Sequence, residues 1–223
     1  VTADAVRFGG GMGNIVRGGQ VSGLPRTLEG ARYYTQWAGA PRNVVSKSNG
    51  ANDYNDDINT RSLYTNWLAG GSPYIPNKEG LKVPIELTLG VHSDAGVKAD
   101  GTTVGTLSIC TTQQGNPTLG TGLSRNASQV FANQLVTNAK RDIEGTFKKV
   151  WNTRGVKDAN YSETRLPEVP SAIIETLSHQ NFGDMRLGQD PNFKFTLARS
   201  IYKSILRHTA SLHKKTYIVQ PLA

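Results

Sequence analysis

His92 stands between the apolar run Leu87-Thr-Leu-Gly-Val91 and the small, acidic stretch Ser93-Asp-Ala-Gly96. An imidazole delivered by a short strand is held rigidly at the rim of a sheet, where it can bind a metal or carry a proton. Glu175 belongs to a second run of the same design, with Val169-Pro-Ser-Ala-Ile-Ile174 leading into it and Thr176-Leu-Ser-His-Gln-Asn181 following. A carboxyl placed straight after three apolar residues loses part of its hydration, which raises its pKa toward the range where it serves as general base and acid. If the two strands are parallel neighbours, both side chains reach one carboxyl edge, the usual place for active sites in open α/β sheets.

Each of these residues also has a structural reading. His92 can be a satisfied structural histidine, and Glu175 a buried partner for an arginine such as Arg165 or Arg186. Asp94 suits a substrate contact or an Asx-turn. His179 can orient Glu175, touch substrate, or simply bond backbone to fix its loop. His208 and His213 lie among basic residues in or just after the last helical pattern and read as surface groups. A catalytic zinc needs three protein ligands and an open position, so one histidine does not make a site. Glu86 faces the same side of the strand as His92 but lies six residues earlier, roughly 20 Å away at strand rise. Cys110 is the single cysteine; it excludes an intramolecular disulfide and a cysteine-based zinc site, and reads as a small buried hydrophobe.

The elements that must position these groups alternate along the chain. A helix is expected over residues 24–37, with Pro25 in its first turn and Gly39 after its end, and a short strand over 43–47. Asp56 or Asp57 caps a second helix carrying Ile58, Leu63, Trp67 and Leu68. After a Gly- and Pro-rich loop over 70–80 come strands at 83–91 and 103–111, joined through a turn at 98–101. Ser124 caps a long helix to about Trp151 with a stripe of Phe131, Leu135, Ala139, Ile143, Phe147 and Val150. Asp190-Pro191 opens the last helix, which carries Leu197, Ala198, Ile201, Ile205 and Leu206, and a terminal strand spans 216–220. This alternation gives an α/β fold with a mostly parallel sheet, covered by helices on both faces in three layers.

Of the 223 residues 37% are hydrophobic, enough for one core, and no run of eighteen apolar residues occurs. The net charge is +8, with 25 Lys and Arg against 17 Asp and Glu. The basic residues are scattered and lack the aromatic interleaving of RNA-binding surfaces, which argues against nucleic acid as a partner and leaves long-range attraction to anionic cell-wall or polysaccharide polymers.

The run Val91-His-Ser-Asp-Ala95 resembles the second zinc-ligand motif of the zinc-dependent N-acetylmuramoyl-L-alanine amidases. Ala172-Ile-Ile-Glu-Thr176 with Asn181 resembles their catalytic-glutamate strand, and Arg61-Ser-Leu-Tyr-Thr-Asn66 their helix before the histidine strand. More narrowly, Val1-Thr-Ala-Asp-Ala-Val-Arg-Phe-Gly-Gly-Gly11, Leu177-Ser-His-Gln-Asn-Phe-Gly-Asp-Met185 and Tyr217-Ile-Val-Gln-Pro-Leu222 are similar to stretches of the Bacteroidetes xanthan lyase-like proteins, amidase-type domains interrupted by a small β-domain. The resemblance implies a secreted, periplasmic or extracellular hydrolase of the amide between muramic acid and the stem peptide of peptidoglycan. It gives His92 the role of a Zn2+ ligand and Glu175 that of proton carrier, and puts His179, Asn181, Asp94 and Arg61 on the substrate side. Residues 1–13 then end the inserted domain, and 14–223 form the C-terminal part of the catalytic domain. The family's other two zinc ligands lie in an upstream segment, since no Gly-His-Gly motif occurs here. Two other readings stay open: a non-catalytic cell-wall or polysaccharide binding protein on the same scaffold, and a polysaccharide lyase, for which no Tyr/Arg/Asn cluster is evident.

Three expectations follow. His92 and Glu175 lie on neighbouring parallel strands with converging side chains; opposite faces would exclude the active-site reading. Residues 1–11 form an extended arm and not a central strand. This chain alone binds zinc weakly and leaves muropeptides intact, whereas the chain joined to its upstream segment binds one zinc and cleaves, as metal analysis and a muropeptide digest can check.

Overall fold

The computed structural model describes residues 16–17, 20–21 and 30–219. The arm expected over 1–11 and the helix start expected at Pro25 lie outside the described residues. The chain divides into two compact units, Val1–Pro84 and Ile85–Ala223.

In the first unit, β1 (Val16–Arg17) pairs antiparallel with β2 (Gln20–Val21), and α1 (Gly30–Trp37), α2 (Arg42–Val45) and α3 (Asp53–Ala69) follow. The chain leaves α1 through Gly39, at φ +82°, the left-handed stop that glycine provides. The strand expected over 43–47 is instead the short helix α2: Pro41, at φ −68° and ψ 161°, starts a helical turn that buries Val44 and Val45. α3 begins one turn earlier than expected, because the Asn52 side chain accepts from the Asn55 N–H at 2.9 Å. Asp56 and Asp57 are therefore inside the helix. Its buried side is polar, made of Asp56, Asp57, Asn59, Thr60, Ser62 and Asn66, while Ile58, Leu63, Trp67 and Leu68 stay partly exposed.

Arg32 explains part of that inversion. Its Nε donates to the Val45 carbonyl at 2.9 Å, its Nη2 to Ser46 Oγ at 3.1 Å and its Nη1 to Asp53, while its backbone N–H donates to Asp57 at 2.8 Å. Asp56 accepts from the Ser48 N–H and Ser46 Oγ. Burial opposes its charge, but these donors and Arg32 hold its carboxyl below the ordinary range.

The second unit contains β3 (Thr88–Asp94), β4 (Thr106–Cys110), α4 (Asn126–Phe147), β5 (Thr153–Asp158), α5 (Ser162–Arg165), β6 (Ser171–Ser178), α6 (Phe182–Gly188) and α7 (Pro191–Leu212). The sheet order is β3-β6-β4-β5; β3–β6 and β4–β5 are parallel and β4–β6 antiparallel. The result is the α/β fold expected, a mostly parallel sheet with helices around it. Ala172, Ile174 and Cys110 point to one face and pack with Phe131, Ala132 and Leu135 of α4. Ile173, Leu107 and Ile109 cluster on the other.

α4 and α7 run antiparallel, since Phe131 meets His208, Asn138 donates to Ser204, and Phe147 meets Phe193. Asp190 caps α7 by accepting from the Asn192 N–H at 2.8 Å, with Pro191 in the first turn, as its sequence requires. α4 stops at Lys148, which takes left-handed φ 53° and accordingly leaves Val150 79% exposed, off the stripe it was expected to continue. Trp151 turns inward, fully buried, with its Nε1–H on Thr106 Oγ1 at 2.9 Å. Residues 216–219 carry no strand.

His208 belongs to the core and not to the surface where its basic neighbours suggest it lies. It is 2% exposed, because the α7 spacing 197, 201, 204, 208 places it against Phe131 with ring centroids 5.0 Å apart. Neither ring nitrogen has a hydrogen-bond partner among the described residues, and burial drives its pKa down to about 4. His213 sits beyond the helix and pairs with Glu86. Cys110 is buried as expected, its thiol pushed up to about 11 by burial.

Asp184 ties the end of β6 to the start of β4. Its fully buried carboxylate accepts from the Gly105 N–H at 3.1 Å and the Ser178 N–H at 2.9 Å. Gly105 is required at that junction: at φ +78°, a Cβ would lie 1.8 Å from the Asn152 carbonyl oxygen. Asp184→Ala should cost about 1–3 kcal/mol for each buried N–H it strands. Urea denaturation measures this, and an unchanged midpoint would remove Asp184 from the account.

Candidate active site

β3 and β6 are in register from Thr88↔Ser171 to His92↔Glu175, after which the pairing shifts to Asp94↔Ser178. Side chains in register on parallel strands share a face. Glu175 is also opposite Leu107 of antiparallel β4, so His92 and Glu175 lie on the Ile173–Leu107–Ile109 face, away from α4. His92 is within the strand and not at its last residue, since β3 continues to Asp94. Its ring folds back over Gly90, where a Cβ would meet His92 Nε2 and Ile173 Cγ1, each at 3.1 Å. Thr176 Oγ1 donates to the His92 carbonyl at 2.9 Å and holds the two strands together at this point.

The charged groups around the pair are arranged by four elements. Glu163 of α5 contacts His92 Nε2 through Oε2 at 2.9 Å. Arg154 of β5 pairs with Asp94 Oδ2 at 2.5 Å, and Asp94 Oδ1 accepts from the Ala95 N–H at 2.7 Å. The Asp94 carboxyl is held below its ordinary range, first by the Ala95 bond and then by Arg154 against the burial that opposes it. Glu175 is partly buried, and its Oε2 is enclosed with no hydrogen-bond partner among the described residues. Burial pushes its carboxyl up; the His92 and Arg154 charges pull against that, the Asp94 and Glu163 charges add to it, and the net displacement is upward.

The remaining substrate-side candidates are placed differently. His179 is exposed at the end of β6, with Nδ1 3.1 Å from Ser93 Oγ and its backbone N–H on the Asp94 carbonyl. Asn181 is buried, and its amide is spent on backbone: Oδ1 accepts from the Lys98 N–H at 3.0 Å and Nδ2 donates to the Thr102 carbonyl at 2.8 Å. Arg61 belongs to α3 of the first unit, 3.6 Å from Asp57. The structure thus brings together His92, Glu175 and Asp94, with His179 beside Ser93. It adds Glu163 and Arg154, which sequence reasoning missed. Both sit in short polar runs, Thr153-Arg-Gly155 and Ser162-Glu-Thr164, without the apolar flanks that single out a strand or a site.

A catalytic zinc can be tested against these donors. Among the described residues no group of three or more His, Cys, Asp or Glu is gathered as a metal ion would need. The imidazole nitrogen that would serve as ligand already meets a carboxylate. The described residues therefore do not fit a complete zinc site by themselves.

No protein-family model matches this chain, and no curated protein matches it. Solved structures do. The CwlD amidase from Clostridioides difficile, in complex with the GerS lipoprotein, is similar at 17% identity over 71% of this chain and 64% of that one, with a TM-score of 0.48. The N-acetylmuramyl-L-alanine amidase Ami1 from Mycobacterium smegmatis matches at 15% over 70% and 61%, TM-score 0.47. An N-acetylmuramoyl-L-alanine amidase from Clostridium difficile 630 matches at 14% over 69% and 66%, TM-score 0.45. The chain spans less than two thirds of the length of each of these three proteins.

Proposed function

We propose that this chain carries part of the active site of an extracytoplasmic amide hydrolase acting on the bond between muramic acid and the stem peptide in peptidoglycan. The observation that carries the reading is Glu175: a carboxyl with a raised pKa and one enclosed oxygen that has no hydrogen-bond partner among the described residues, in register with His92 on a parallel strand. The resemblance of the runs around Arg61, His92 and Glu175 to the amidase motifs supplies the substrate class. Among the described residues no helix is long and apolar enough to cross a membrane.

The chemistry these residues support is proton transfer. With its carboxyl ionised, Glu175 takes a proton from the attacking water; the oxygen joins the amide carbon, the carbon–nitrogen bond breaks, and the same proton passes to the leaving nitrogen. Asp94 stays ionised beside it, held by Ala95 and Arg154. Two carboxyls with pKa values pushed in opposite directions suit different tasks, one shuttling and one fixed. In this reading His92 is a zinc ligand whose partner ligands come from outside the described residues, and bound zinc would polarise the scissile carbonyl. Ligation at His92 Nε2 requires Glu163 to move off that atom. That same contact favours one other reading, a cell-wall binding protein on this scaffold with no metal chemistry.

The longest form the gene encodes, supplied with zinc, should release stem peptide from muropeptides. Glu175→Gln should lower turnover by about a hundredfold or more with zinc content unchanged, and His92→Ala should lose both. Intact muropeptides together with absent zinc would favour the binding-protein reading; turnover that survives Glu175→Gln would remove Glu175 as proton carrier.

A stability measurement separates the charge from the chemistry. A carboxyl whose folded pKa lies above its ordinary value of 4.5 destabilises the fold increasingly as pH rises through the interval between the two, and the cost is complete above the folded pKa. Glu175→Gln should therefore melt higher than the unsubstituted protein at neutral pH, and the difference should shrink as pH falls toward 4.5 and be gone below it. A variant less stable at neutral pH would mean that the ionised carboxylate holds the fold together.

A further inference from the structure

A groove of about 530 Å³ opens between the last turns of α4 and the first turns of α7. Arg141, Asp142 and Thr146 line it from α4, and Asn192, Phe195 and Arg199 from α7. Gly145 widens it at the α4 wall, with no atom within 4 Å of where its Cβ would be. Phe195 is 59% exposed, an aromatic ring left in water while its neighbour Phe193 is buried in the core.

The charges in the groove do not cancel. Asp142 is answered from within the protein: Lys203, itself buried, contacts its Oδ2, and burial of the carboxylate is outweighed by that bond. Arg141 rests its Nε on Asp142 Oδ1 at 3.3 Å, and neither of its terminal nitrogens has a partner among the described residues. Arg199 is exposed and has no carboxylate partner among the described residues. The negative end of the α4 dipole and the positive end of the α7 dipole meet here and offset each other, so the two guanidiniums set the sign.

We propose that this groove binds an anionic oligosaccharide, with Phe195 stacking on a sugar ring, Arg141 and Arg199 holding its acidic substituents, and Asn192 and Thr146 meeting its hydroxyls. The residue types decide the class. An exposed aromatic beside neutral amide and hydroxyl groups suits a hydroxyl-rich ring, and a planar guanidinium pairs bidentately with carboxylate or phosphate. A nucleic acid draws its affinity from a longer series of phosphate contacts than two arginines supply. The volume falls within the range of ordinary ligand sites. This surface does not rest on the hydrolytic reading, since none of its residues belongs to the His92–Glu175 cluster.

Titration calorimetry of the full chain tests it with four probes: a galacturonic acid hexamer, a phosphorylated hexasaccharide, neutral maltohexaose and a thymidine oligonucleotide of equal charge. One of the two anionic sugars should bind about tenfold or more tightly than maltohexaose, and which of them does so names the acidic group. Phe195→Ala, and separately the double variant Arg141→Gln with Arg199→Gln, should each weaken that binding about tenfold while leaving the circular dichroism spectrum unchanged. All three positions are exposed, so folding is not at stake. No binding of either anionic sugar at millimolar concentration, equal binding of maltohexaose, tighter binding of the oligonucleotide, or indifference to these substitutions would each overturn the proposal.

Discussion

The pairing of β3 with β6 is the constraint on which the candidate site depends. Side chains alternate along a strand, so a slip of one residue would turn His92 away from Glu175 and into the face that α4 covers. The register is fixed at both ends. At the start the Thr88 N–H bonds the Pro170 carbonyl at 2.9 Å, and at the end Thr176 Oγ1 and the His179 N–H hold the His92 and Asp94 carbonyls. Beyond the shift between His92 and Asp94, Asp94 pairs with Arg154 from β5. Asp184 secures the same end of β6 from the other side, through Ser178 and Gly105.

Division of labour between the two sheet faces follows from that pairing. The apolar work is done on the side of Ala172, Ile174 and Cys110, where α4 brings Phe131 and Leu135 into a close-packed layer backed by α7. The opposite face keeps a smaller cluster around Ile173, and beyond it the charged groups gather. Glu175 stands at the boundary, apolar neighbours on one side and charges of both signs on the other. Its displacement upward shows burial winning over the attraction of His92 and Arg154. Asp94, only two strand positions from His92, goes the other way because it gains a backbone donor and an arginine for the same loss of water.

Much of this was legible in the sequence where a single signal sufficed. The stripe Phe131, Leu135, Ala139, Ile143 names the buried side of α4, Asp190-Pro191 marks the start of α7, and the apolar run into Glu175 is β6. What was missed needed tertiary partners. β5 is an edge strand with one apolar residue, Val156, and a glycine near its centre, so no alternation marks it. Glu163 and Arg154 join the site through a fold that no local pattern encodes. The buried side of α3 is polar because Arg32 and the serines after α2 reach its acids, and hydrophobic spacing points to the wrong residues there. For His208 the basic neighbours suggest a surface, whereas its position on the α7 stripe decides its burial.

The candidate site depends on Glu175 holding its proton more tightly than an ordinary glutamate because it is enclosed beside His92. Carbon-13 NMR titration of the Glu175 carboxyl, assigned by comparison with Glu175→Gln, reads that directly, and repeating it in His92→Ala removes the imidazolium that pulls the value down. The midpoint should lie above 4.5 in the unsubstituted protein and higher still in His92→Ala. A midpoint at or below 4.5 would show the carboxylate already satisfied by partners, and the proton-carrier reading would not stand.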